Sequence, residues 1–166
     1  MTPLAVSTKI RTQRFFGTSA AILFCLCISL FIVGCRSVPE PEPGVLKDLK
    51  QKGVEIMKIS NPEVVYVSSR RGLGEKTAVK LTRAGANKQV QALAELIGTG
   101  ITRRVYIVVA GDHSALTRAT IESALNQQVS RVPGLHLLFV GDEDDQAAIR
   151  DRVRQAGGKI YFEQEE

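Results

Sequence analysis

Two hydrophobic runs of the same length, each closed by the same dipeptide, dominate the pattern along the chain. Val105-Tyr106-Ile107-Val108-Val109-Ala110 leads into Gly111-Asp112, and thirty residues later Leu135-His136-Leu137-Leu138-Phe139-Val140 leads into Gly141-Asp142. Such runs are too short for a buried helix and too continuous for a strand with one wet face, so both are predicted as central strands covered on two sides. Each Gly-Asp is followed by helical periodicity. The first helix sets Leu116, Ala119, Ile121, Ala124 and Leu125 toward one side and begins near Ser114, a residue suited to an N-cap. The second uses Ala148, Ile149, Val153 and Ala156, opens with Asp144 and Asp145 where a helix N-terminus favours negative charge, and stops at Gly157-Gly158. A short last strand over residues 159–162 completes a βαβαβ pattern, for which parallel strands with right-handed crossovers are expected.

Upstream, Val64-Val65-Tyr66-Val67 reads as a strand after the Asn61-Pro62 turn signal, and residues 87–98 read as an amphipathic helix with Val90, Leu93 and Ile97 on one face. Residues 76–82 fit either a strand or a helix, and residues 54–59 a weaker strand. The fold class expected is α/β: a three-layer sandwich on a mainly parallel central sheet, with an antiparallel hairpin at its N-terminal edge as the close alternative.

The first fourteen residues hold Lys9, Arg11 and Arg14 and no acid, and residues 15–33 carry no charge at all. A positive stretch before an apolar run is the order of a secretory signal. The run closes on Ile32-Val33-Gly34-Cys35, which resembles the lipobox of bacterial lipoproteins, with Ile in place of the commoner Leu at its first position. That resemblance implies cleavage between Gly34 and Cys35, a diacylglyceryl thioether on the Cys35 sulfur and a further acyl chain on the new amino terminus. Two or three chains hold a protein to a bilayer where one does so only marginally. The alternative is an uncleaved transmembrane helix over residues 15–33, against which stand Gly17, Thr18, Ser19, Ser29 and the position of the cysteine. Either reading puts the remainder across the inner membrane. Cys25 and Cys27 would leave with the signal, so no thiol remains for a disulfide.

Residues 36–44 alternate proline and glutamate and read as an extended tether spanning at most about 28 Å. The organisation expected is a signal peptide over 1–34, lipidated Cys35 and tether over 35–44, and one periplasmic domain over 45–166. The resemblance extends to sorting. An Asp after the lipidated cysteine tends to retain such lipoproteins at the inner membrane, and Arg36 in that place implies the outer membrane.

Charge changes the picture little. The chain is +5, but three of its 22 Lys and Arg lie in the signal, leaving nineteen against 17 acids, a net of +2. That excess does not suggest a nucleic-acid partner. It is uneven: eight cations against three acids over residues 60–104, and eight acids against four cations over residues 140–166.

Candidate chemistry gathers at the Gly-Asp strand ends, since ligands of open α/β sheets bind outside the carboxyl ends of the strands. If the two strands are neighbours, Asp112, Asp142 and Glu143 could converge on a cation or a ligand amine. The competing reading is that each aspartate makes a turn and caps its helix. Asp112-His113-Ser114 are consecutive and so are not arranged as a proton relay, and His136 lies in an apolar strand. No His or Cys cluster suggests zinc, and no cofactor is implied. Residues 70–77, Arg-Arg-Gly-Leu-Gly-Glu-Lys-Thr, lack the Gly-Lys adjacency of a phosphate-binding loop and read as a basic connection. The function expected is a non-enzymatic interaction module of the cell envelope, lipid-anchored through Cys35, with an envelope protein or the cell wall as partner. A ligand- or metal-binding domain or small enzyme at Asp112 and Asp142 is the alternative.

Overall fold

The computed structural model describes residues 41–69, 74–84 and 87–164. Helix α1 (Pro43–Met57) precedes strand β1 (Glu63–Val67). Helices α2 (Glu75–Arg83) and α3 (Lys88–Gly98), with a short 3-10 turn (Thr99–Ile101), lead to β2 (Val105–Gly111). Then follow α4 (Ser114–Asn126), β3 (Leu135–Gly141), α5 (Glu143–Gln155) and β4 (Lys159–Gln164).

The four strands form one sheet in the order β1-β2-β3-β4, every pair parallel. This is the α/β class and parallel sheet expected, in three layers. Alternate strand residues split the apolar side chains between two faces. Val65, Val67, Ile107, Val109, Leu137, Phe139, Ile160 and Phe162 pack on one face with α3 (Val90, Leu93, Ile97), α4 (Leu116, Ile121) and α5 (Ile149, Val153). Val64, Tyr66, Tyr106, Val108, Ala110, Leu138, Val140 and Tyr161 face the other way, against Leu49, Ile56 and Met57 of α1. All crossover helices lie on one side because the strand order never reverses. Crossovers of one hand between successive parallel strands then return to the same face.

Several expectations are corrected. There is no antiparallel hairpin among the described residues; the N-terminal edge is β1, parallel to β2. Residues 54–59, expected as a weak strand, fall mostly in α1, whose Gly53 lets the helix approach the sheet: a Cβ there would meet Val108 Cγ2 at 2.5 Å. Residues 76–82 resolve as the helix α2. Pro43 and Gly44, read above as the end of the extended segment, are the first residues of α1, where the missing N–H of Pro43 costs nothing and its fixed φ suits the helix. The expected helix over residues 87–98 is α3, its N-cap Asn87 accepting from the Gln89 amide at 3.0 Å. The lipobox residues and the basic segment Arg70-Arg71 lie outside the described residues. No helix among the described residues is long and apolar enough to cross a membrane.

Candidate functional site at the strand carboxyl ends

Because β2 and β3 are neighbours, Asp112 and Asp142 stand at adjacent strand ends, and Glu143 opens α5 beside them. All three are exposed. The sheet lacks the reversal of strand order that opens a binding crevice in doubly wound folds, so the positional rule that singled out these ends applies only in part.

Asp112 turns toward β1. Its Oδ2 accepts from the Ser69 amide at 2.7 Å and the Ser69 hydroxyl at 3.1 Å, and its Oδ1 from the Tyr66 hydroxyl at 2.9 Å. The Asp112 amide itself donates to Val67 O at 3.1 Å. The carboxylate therefore fastens the start of the β1–α2 connection instead of capping α4. The close approach needs Gly111: a Cβ there would lie 2.4 Å from Val67 O and 2.5 Å from Thr117 Oγ1.

Ser114, expected near the N-cap of its own helix, is the first residue of α4 and reaches across to α5. Its hydroxyl donates to Asp145 Oδ2 at 2.7 Å and accepts the Asp142 amide at 2.9 Å. Asp142 is the N-cap residue of α5 by position but makes no side-chain cap bond. Asp145, 7 % exposed, also accepts from Arg118 Nη1 at 2.7 Å through Oδ1. Arg118 Nε faces Glu122 Oε1 at 3.7 Å, too long for a hydrogen bond, and Arg83 adds a looser contact to Glu122 at 3.9 Å. Only Gly141 leaves room for the Ser114 hydroxyl, since a Cβ there would lie 2.8 Å from it.

Thus Asp112 and Asp142 are adjacent, as the strand reading required, while their groups bond to different neighbours. Buried Ser114 and Asp145 and half-buried Arg118 form the polar centre; the sequence marked Ser114 as a helix start and Asp145 as an acid in a first helical turn, and gave no sign of Arg118. Among the described residues no group of three His, Cys, Asp or Glu side chains is placed to hold a metal ion. His136 is a packed residue: its Nδ1 lies 3.3 Å from the Tyr161 hydroxyl, and burial, followed by the charges of Lys159 and Arg104, lowers its pKa from the ordinary value.

Compared with models of protein families, with curated proteins and with solved structures, the chain finds no match.

Proposed function

We propose that the chain is a bacterial envelope lipoprotein, anchored through lipid on Cys35, whose α/β domain works by contact with other envelope components and not by catalysis. The anchor rests on Ile32-Val33-Gly34-Cys35 at the end of an uncharged run, and Arg36 directs the protein to the outer membrane, facing the periplasm. For the domain, one observation carries the reading. At the strand carboxyl ends, where an active site would be sought, Asp112 bonds to Ser69 and Tyr66, and Ser114 and Arg118 bond to Asp145. A buried, mutually bonded set fixes two helices in place, and a substrate would have to displace it.

In-cell crosslinking followed by mass spectrometry tests the reading. The expected result is a reproducible envelope partner whose crosslinks map to the domain surface and disappear when Cys35→Ala blocks lipidation and with it transfer to the outer membrane. No reproducible envelope partner, or turnover of a small molecule lost on Asp112→Asn, would overturn it.

A further inference from the structure

Three loops meet at the strand amino ends. Gly134 N donates to Gly100 O at 2.9 Å, Val105 N to Gly134 O at 2.9 Å, and Val132 N to Ala156 O at 2.7 Å. Residues 98–104, 127–134 and 156–159 are so joined into one surface, which holds Arg103, Arg104, Arg131 and Lys159 and no acid. All four cations are exposed, and among the described residues none is in an ion pair.

On the face that α1 shares, this surface continues into a row of rings across three adjacent strands. Tyr106 pairs in register with His136, and His136 with Lys159, so the three side chains leave the same face, with Tyr161 two residues further along β4. The Tyr106 and His136 rings lie 4.5 Å apart, those of His136 and Tyr161 6.2 Å apart and nearly parallel. His136 is buried between two half-exposed tyrosines, with Arg104 and Lys159 exposed beside them. The acid further along that face of β4, Glu163, is paired with Lys52 at 3.4 Å.

We propose that this shelf binds a carboxylate-bearing glycan of the cell wall, its sugar rings lying on Tyr106 and Tyr161 and its carboxylates paired with Arg104 and Lys159. The inference rests on the envelope reading above and supplies a partner class for it. Aromatic faces are electron-rich and attract the weakly positive C–H groups of a pyranose face, while arginine offers a fork matched to a carboxylate. The cations here are too few to track a polyphosphate chain, and a lipid surface would engage chiefly the exposed Val129 in the neighbouring loop.

The test is co-sedimentation of the detergent-solubilised full chain with purified peptidoglycan sacculi. Wild type should pellet with the sacculi and be released as salt rises. Arg104→Glu with Lys159→Glu, both at exposed positions, should weaken binding about tenfold, as should Tyr161→Ala, with recovery in Tyr161→Phe. Val129→Asp and Asp144→Lys should bind as wild type does. The proposal is overturned if the chain does not pellet with sacculi at low salt, or if the charge variant binds normally. It is equally overturned if anionic phospholipid vesicles capture the chain in place of sacculi and Val129→Asp abolishes that capture. Sacculus binding by a chain whose Cys35 is unmodified would uphold the shelf and remove the anchor; a lipidated chain that ignores sacculi does the reverse.

Discussion

The Ser114 hydroxyl donates to Asp145 Oδ2 across 2.7 Å, tying the first turn of α4 to the first turn of α5 through residues thirty-one positions apart. Asp145 has a second partner in Arg118 Nη1, also at 2.7 Å, so one buried carboxylate holds two groups of α4. Removing it strands both. Asp145→Ala should therefore destabilise the domain by about 2–3 kcal/mol, more than Ser114→Ala at about 1 kcal/mol, because it also takes the short bond from half-buried Arg118 and leaves that guanidinium the longer contact to Glu122. Urea unfolding of the two variants checks the order; Ser114→Ala as the more damaging change would contradict it.

Glycine substitutions should divide by what a Cβ would meet. Gly111→Ala drives a methyl into Val67 O and Thr117 Oγ1 and is expected to cost about 2–3 kcal/mol. Gly44, in the first turn of α1 with nothing within 4 Å, should gain up to about 1 kcal/mol as alanine through helix propensity. Thermal melts of the two variants should move in opposite directions.

Asp112→Asn tests the fastening of the β1–α2 connection. The exposed carboxylate accepts from the Ser69 amide and hydroxyl and from Tyr66, so its neutralisation should cost only about 1 kcal/mol globally. The local effect is the sharper readout: hydrogen exchange at the Ser69 amide should quicken while the β3 amides stay protected. Uniform loss of protection would show that the contact holds the whole sheet.

Acid should weaken the domain through His136. Burial first, then Lys159 and Arg104, holds its imidazole below the ordinary value of 6.5, with Tyr106 and Tyr161 on either side. The unfolded chain then takes up this proton before the folded one does. The stability linked to His136 is complete above about pH 6.5 and is lost as pH falls through that value toward the folded pKa. Unfolding measured at pH 7.5 and pH 5.5 should show a smaller acid loss in His136→Gln than in wild type; equal losses would sink this assignment.

Much of the fold was legible because β2 and β3 are buried on both faces and so appear as unbroken apolar runs, each ended by Gly-Asp at a thirty-residue interval. Helix α1 was hidden. Only Leu49, Gly53 and Met57 are buried in it, and a glycine that admits close helix–sheet contact looks in sequence like a break. Residues 54–59 and 76–82 carry β-branched side chains that suit strands, yet packing overrides propensity in both: 54–57 belong to α1, which lies on the sheet, and 76–82 to α2, which lies on α4. At the strand ends, Asp112 and Asp142 were placed correctly. Their partners were not, since Ser69 lies 43 residues from Asp112 and Ser114 lies 28 from Asp142, and no local pattern links them.

Intact-mass and peptide mass spectrometry of the chain isolated from membranes tests the envelope account most directly. The account predicts that residues 1–34 are missing, that the mature chain begins at Cys35, and that this cysteine carries a diacylglyceryl group and an amide-linked acyl chain, none of which forms in Cys35→Ala. A chain that retains Met1 or residues 15–33 and carries an unmodified Cys35 would contradict it.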